Sequence, residues 1–354
     1  MIQTNSFSSI NALGLDAADW NALAAESETN TVFQTHEWVS TWERIYGGEC
    51  RPWFISVQSS AGLLGIAPLM IKKGLLRERT VQFLGEGKAD YCDFLSAGDR
   101  AKAVEAICRS LFEARERWDV VELNNIPVNS STVELVRKIS SREGYRTLLR
   151  DLYLSPTLLI RGREDEALTI FNKASLRRRH NYFQREAQLT FKVITGSAVL
   201  SYLDEFFAQH VERWTGSESP SLFLDVHNKI FYRELAVAMA EKNWLMLSVV
   251  DCAGRSLAMH YGFDYNDRVL WYKPSFNKDY AKHSPGLVLL RYLIGYALDR
   301  KRGEFDFTIG DEPFKTRFSN HMRTTVSLQI FRDPARYYLE LSRQKLSAAK
   351  KRLL

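Results

Sequence analysis

Cysteine is scarce and unpaired in this sequence. The four present, Cys50, Cys92, Cys108 and Cys252, are scattered at no paired spacing, which excludes a disulfide framework and a cysteine-based zinc site. The seven histidines also lack metal-ligand spacing, so no metal cofactor is expected. No apolar run is long enough to cross a bilayer, and the opening Met1-Ile2-Gln3-Thr4-Asn5-Ser6 has neither the basic nor the apolar region of a signal peptide. These absences lead us to expect a cytoplasmic protein without a membrane span.

The 354 residues are 45% hydrophobic and 25% charged, which excludes a disordered or low-complexity chain and suggests two domains of ordinary size. A formal net charge of +6 and a pI near 9.0 favour an anionic partner, for which a coenzyme, tRNA or an acidic sugar all qualify.

Local patterns give the elements. Asp16 is placed to cap one helix and Thr35 or a residue beside it a second, which carries Trp38 and Trp42 one turn apart, a spacing that favours core packing over a stacking platform. Residues 53–57 and 63–70, joined through Ser59-Ser60-Ala61-Gly62, predict an antiparallel hairpin, and residues 80–84 a further strand. A helix over 101–117, a strand over 118–123 and a helix over 133–144 follow. After a strand over 153–160, Arg177-Arg178-Arg179 lies on a predicted helix. It reads either as a solvated face or as a phosphate site, since arginines provide forked donors.

The second half repeats the first. Ser56-Val57 followed by Ala61-Gly62 corresponds to Ser248-Val249 followed by Ala253-Gly254 at the same spacing. Strand 81–84 answers 269–272, helix 101–117 answers 287–302, and Trp118-Asp119-Val120 answers Phe305-Asp306-Phe307. Ahead of each hairpin lies a helix with a tryptophan near its end, Trp42 or Trp214. Two copies of one α/β (α+β) unit explain this order. The expected division is a first domain over 1–150, a second over 151–334 and a C-terminal helix over 335–354 ending in Lys350-Lys351-Arg352.

The copies differ at one helix entrance. In the second, Lys282-His283-Ser284-Pro285-Gly286 combines an N-cap, a proline set for the first helical position and a glycine without a side chain, so the opening amides of Ser284, Gly286 and Leu287 form a candidate anion site. In the first, Ser96-Ala97-Gly98-Asp99-Arg100 puts an acid where the anion would sit. The second copy is therefore expected to be active and the first degenerate. Past its helix, a strand over 304–309 delivers Gly310-Asp311-Glu312-Pro313-Phe314-Lys315.

The tandem repeat, Arg177 to Arg179, Phe276-Asn277-Lys278-Asp279-Tyr280 ahead of Ser284-Pro285-Gly286, and Phe305-Asp306-Phe307 to Lys315 resemble the CelD/BcsL-type acetyltransferase-like family, related to FemAB-like tandem GNAT proteins. The resemblance extends from about Phe33 to Phe331. Usual GNAT enzymes carry two small residues before the helix where this chain has one glycine. The resemblance implies two tandem GNAT-like domains, each a mixed, mainly antiparallel sheet flanked by helices. It also implies transfer of an acyl group from a thioester such as acetyl-CoA or another acyl-CoA, often in polysaccharide or cell-envelope metabolism.

Such a reaction needs few protein groups. The helix start would hold the coenzyme phosphates, helped by Arg177. A splayed strand over Val269-Leu270-Trp271-Tyr272-Lys273 would offer an amide to the thioester carbonyl, and Tyr272 or Tyr280 a proton to the leaving thiolate. A proton acceptor for the incoming amine would come from His260, Asp306, Asp311 or Glu312, with Glu312 preferred because it sits on the loop after the strand. His260 reads equally as a hydrogen-bonded core histidine, and Lys315 as the ion partner of Asp306 or a substrate ligand. Three functions are open: an N-acyltransferase acting on an amino sugar or similar amine, an aminoacyl-tRNA-dependent FemAB-like transferase, and a non-catalytic accessory protein of polysaccharide biosynthesis.

Overall fold

The computed structural model describes residues 2–74 and 77–353, with side chains as far as residue 346. The chain divides into one unit formed by Met1–Tyr153 with Thr324–Leu354 and a second formed by Leu154–Arg323.

In the first unit β1 (Gln3–Phe7) precedes two capped helices. Asp16 accepts the Asp19 amide at 2.8 Å to open α1 (Ala17–Glu26), and the Thr35 hydroxyl accepts the Trp38 amide at 3.3 Å to open α2 (His36–Tyr46). Trp38 and Trp42 are both buried. The hairpin of β2 (Arg51–Ser59) and β3 (Gly62–Lys73) is followed by β4 (Arg79–Phe83), a short β5 (Leu95–Ser96), α3 (Arg100–Glu113), β6 (Val120–Pro127) and α4 (Thr132–Arg142). Neighbouring strands from β1 to β4 run antiparallel. The helical crossover α3 then brings β6 in parallel to β4 over Thr80↔Val120 and Val81↔Val121.

The chain passes into the second unit within β7 (Arg146–Leu159) and continues through α5 (Glu164–Phe171), α6 (Ala174–Glu186), β8 (Leu189–Ile194), α7 (Leu203–Trp214) and α8 (Val226–Met239). The order of the first unit then recurs: β9 (Leu245–Cys252), β10 (Arg255–Tyr265), β11 (Arg268–Phe276), the crossover helix α9 (Pro285–Asp299) and β12 (Glu304–Asp306). Ala253 and Gly254 both have positive φ, as the tight β9–β10 turn requires. Again the crossover makes the last pairing parallel, here from Arg268↔Glu304 to Leu270↔Asp306. α9 buries Val288, Leu289, Leu290, Leu293, Ile294 and Ala297 in a core shared with Trp271, Phe305 and Phe307.

Three expectations are corrected. The helix directly ahead of the second hairpin is α8, so Trp214 on α7 is not the positional partner of Trp42. The strand expected over 304–309 stops at Asp306, because Thr308 adopts φ 58° and turns the chain out of the sheet. Finally, the last strand, expected in the second domain, lies in the first unit. β7 pairs with β12 at residues 157–159, whereas β13 (His321–Phe331), which follows the short α10 (Pro313–Arg317), pairs with β6 at residues 325–331. Residues 324–354, with α11 (Pro334–Leu353), thus group with the first unit. The basic end Lys350-Lys351-Arg352 lies outside the described side chains.

Candidate active site

β11 and β12 pair over three residues and then part. The chain after β12 leans away from β11, with the Phe307 amide donating to the Pro156 carbonyl at 3.1 Å and that of Gly310 to the Leu154 carbonyl at 2.9 Å. Thr308 holds the apex of the seam. Its amide donates to Asp306 Oδ1 at 2.7 Å, and its hydroxyl donates across to the Trp271 carbonyl at 3.0 Å. A β-branched residue at positive φ is strained, and here that strain sits where two strands are pinned at the point of divergence.

On its other edge β11 carries a bulge. The pairing passes from Tyr261↔Lys273 to Phe263↔Leu270, so Trp271 and Tyr272 together oppose Gly262. The Tyr272 amide freed by this irregularity donates to His260 Nε2 at 3.1 Å, and the imidazole lies nearly flat on Trp271 at 5.2 Å. A Cβ at position 262 would collide with that ring and sit 2.6 Å from the Leu270 carbonyl, so glycine is required there. His260 is completely buried, and burial pulls its pKa down to about 3. Its basic nitrogen is committed to Tyr272. Of its two readings, the geometry is that of the core histidine. The amide expected to serve a thioester is, at Tyr272, already engaged, and the buried Tyr272 hydroxyl lies 2.9 Å from that of Tyr232.

At the start of α9 the expected cap is corrected. Ser284 has φ 57° and ψ 57°, and its side chain makes no capping bond. The preceding 3₁₀ turn over Lys278–His283 delivers the chain to Ser284 in the left-handed region, which points the hydroxyl away from the helix amides. The Ser284 amide donates to the Ala281 carbonyl at 3.0 Å, and the Leu287 amide to the Ser284 carbonyl at 3.0 Å. Among the described residues, no acceptor is found for the Gly286 amide. A Cβ at Gly286 would lie 3.6 Å from Phe276 Cδ1, an ordinary contact, so this helix start abuts the outer end of β11.

The acids occupy two environments. Glu304 and Asp306 alternate with Phe305 and so face away from the α9 core. Glu304 lies 3.0 Å from Arg268 and 2.5 Å from Arg323; burial acts to raise its pKa, but the Arg323 hydrogen bond and the two cations outweigh it and hold it low. Asp306 is pushed up to about 6 by burial and by the Glu304 charge. Glu312, by contrast, is half exposed. It meets Lys315 Nζ at 3.0 Å, and Lys315, although buried, also donates to the Ile309 carbonyl at 2.7 Å. The ion partner of Lys315 is therefore Glu312. Both side chains fold over Gly310, where a Cβ would sit 2.5 Å from Lys315 Nζ. Asp311 is exposed.

One residue that the sequence reading passes over faces this loop. Arg213, at the end of α7, lies 4.4 Å from the Phe276 ring and donates to the Pro274 carbonyl at 2.5 Å. Burial lowers its pKa to about 10, and the Glu312 charge opposes that shift. It thus links the outer half of β11 electrostatically to Glu312. The only local signal was helical spacing, which puts Arg213 one turn from His210.

Arg177 and Arg178, with Asn181, Tyr182 and Arg185, line an open groove of about 590 Å³ on α6. Tyr182 stacks on His283 at 4.1 Å, so this row reaches the turn that precedes α9. Arg179 is not part of the groove lining. Among the described residues no cluster of histidine, cysteine, aspartate or glutamate is arranged to hold a metal ion, and no helix is long and apolar enough to cross a membrane.

Two strands parting beside a crossover helix define the arrangement by which known folds can be compared. Residues 172–316 match the acetyltransferase (GNAT) domain family. The matched segment runs from just before α6 through the seam to α10, and the match supports an acyltransferase. No curated protein matches the sequence. Among solved structures the chain is similar to FemX, at 11% identity and a TM-score of 0.67 over 95% of this chain and 99% of that one. It is also similar to the C-terminal domain of a putative lysylphosphatidylglycerol synthetase from Agrobacterium fabrum, at 14% identity and a TM-score of 0.56 over 92% and 95% of the two chains. A tandem GNAT protein from the clavulanic acid biosynthesis pathway aligns at 9% identity and a TM-score of 0.50 over 93% and 98%. At these identities the likeness is one of fold: an α/β (α+β) architecture with mainly antiparallel sheet flanked by helices.

Proposed function

We propose that the chain transfers an acyl group from an acyl-CoA to an amine, with an amino sugar or related envelope intermediate as the acceptor class. The observation that carries this reading is the parting of β11 and β12 beyond Leu270 and Asp306, with the start of α9 packed at its outer end. In this reading the coenzyme phosphates lie against the Gly286 amide and the α6 arginines, and the thioester enters the seam. The acceptor amine approaches from the loop side, where Glu312 takes its proton while Lys315 and Arg213 hold the carboxylate in place. Bond formation between the amine nitrogen and the acyl carbon displaces the thiolate. Asp306 acts through Thr308, fixing the width of the seam.

A thermal-shift titration tests the donor. Acetyl-CoA at about 100-fold over its Kd is expected to raise the melting temperature by roughly 5–10 °C. Gly286→Asp, whose Cβ the site accommodates, is expected to abolish that rise at unchanged basal stability. No shift with any acyl-CoA would overturn the reading.

A second reading is favoured by the groove itself. Arg177, Arg178 and Arg185 along one helix suit a longer polyanion as well as a coenzyme, which keeps an aminoacyl-tRNA donor in contention.

A further inference from the structure

The first unit repeats the parting of strands with different chemistry. Beyond Val81↔Val121 the seam between β4 and β6 is bridged by side chains. Gln82 Nε2 donates to Glu122 Oε2 at 3.1 Å and to Glu86 Oε1 at 3.3 Å. Asn124 Nδ2 donates to Glu86 Oε1 at 2.6 Å, and Gln329 Nε2 on the adjoining β13 donates to Glu122 Oε1 at 2.8 Å. Three carboxamides thus commit N–H groups to two carboxylates.

What remains is all of one kind. Asn124 is 9% exposed and Gln329 8%, yet Asn124 Oδ1, Gln329 Oε1 and Glu86 Oε2 are buried without a hydrogen-bond donor among the described residues. Turning either carboxamide over would strip a carboxylate of its donor, so the network fixes these oxygens as acceptors. Buried acceptors left unmatched are costly, and a cluster of them selects a ligand that brings donors.

Charge narrows the choice. The cluster holds two acids, Glu86 and Glu122; Arg150 lies 3.6 Å from Glu122, and Lys72 acts on Glu86 from farther away. Burial, opposed by the Asn124 hydrogen bond and reinforced by the Glu122 charge, pushes Glu86 up to about 7, and a cation beside it favours the ionised form. An anion is excluded from the neighbouring helix start as well. Asp99 caps α3 by accepting the Lys102 amide at 3.1 Å, and it pairs with Lys102 Nζ at 2.6 Å.

We propose that the first unit binds a primary ammonium group at the seam between β4 and β6, through Glu86 Oε2 and Asn124 Oδ1, with Gln329 Oε1 as a further acceptor. A primary ammonium carries three donors and one positive charge, which answers the unmatched oxygens and favours the ionised form of Glu86. The degenerate copy is then a recognition site for an amine rather than an inert remnant. Its occupancy is independent of any acyl donor in the second unit.

The test titrates the intact ¹⁵N-labelled protein with ethanolamine and, separately, with N-acetylethanolamine at equal ionic strength, following the side-chain amide signals of Asn124 and Gln329. Ethanolamine is expected to shift both with saturation, and its acetylated counterpart to leave them in place. Glu86→Gln is expected to weaken ethanolamine at least tenfold. Gln329→Met, read at Asn124 alone, leaves Glu86 intact and is expected to weaken binding about threefold. Equal shifts from the two compounds, no shift from ethanolamine up to about 100 mM, or unchanged affinity in Glu86→Gln would each overturn the proposal.

Discussion

A histidine with one nitrogen committed to a backbone amide and no access to water must stay neutral for its surroundings to hold. His260 has a folded pKa near 3 against an ordinary value of 6.5, so its contribution is present above pH 6.5 and is lost as pH falls towards 3. Between pH 7 and pH 5 the unfolded chain takes up the proton while the folded one refuses it, a loss of about 2 kcal/mol. His260→Gln supplies an acceptor for Tyr272 without titrating. In urea unfolding the advantage of the wild type over this variant should therefore shrink by about 2 kcal/mol between those two pH values. Parallel curves would mean that protons reach the ring in the folded state. The residue itself was visible in the sequence, but its role was not. Ala258-Met259-His260-Tyr261-Gly262 suits a base and a core histidine equally well, and what separates them is a bulge that brings Tyr272 opposite.

At the scale of elements, the short β12 and the loop after it divide the labour between two carboxylates. Asp306 is buried and hydrogen-bonded to the Thr308 amide, a bond that asparagine can also accept. Because burial raises its pKa, removing the charge relieves a cost. Asp306→Asn is accordingly expected to keep or raise the melting temperature and to change kcat only a few-fold. Glu312→Gln keeps an acceptor for the buried Lys315 but removes its countercharge, so it should lower the melting temperature modestly, and it should lower kcat by roughly 10²–10³ with KM for acetyl-CoA unchanged. Steady-state kinetics beside melting curves separates the two, and the reverse pattern would assign the proton transfer to Asp306. Elements set by neighbouring residues were legible in advance, as the Asp16 and Thr35 caps, both hairpins and the crossover helices illustrate. Ser284 departs from the expected cap because its left-handed conformation follows from the turn before it, and the pairing of β13 with β6 was hidden because a strand's pattern carries no local mark of its partner.

For the whole molecule, the charge of +6 is less informative than where the arginines lie. Arg177, Arg178 and Arg185 share one groove on α6, and through Tyr182 and His283 that groove adjoins the turn before α9. A coenzyme reaching the Gly286 amide carries few phosphates and engages one or two of these cations, so its affinity should weaken only modestly with salt. A tRNA laid along the helix releases a counterion for each phosphate neutralised, and the slope of log affinity against log salt then approaches −0.7 to −0.9 per contact. Replacing all three arginines by glutamine is therefore expected to weaken acetyl-CoA about tenfold with little change in slope if the donor is a coenzyme. If the donor is an aminoacyl-tRNA, the same variant loses tRNA binding and flattens the slope by two to three units. Fluorescence anisotropy with both ligands across a salt series distinguishes these outcomes. If neither affinity responds, the row is a solvated helix face, and donor recognition then rests on the start of α9 alone.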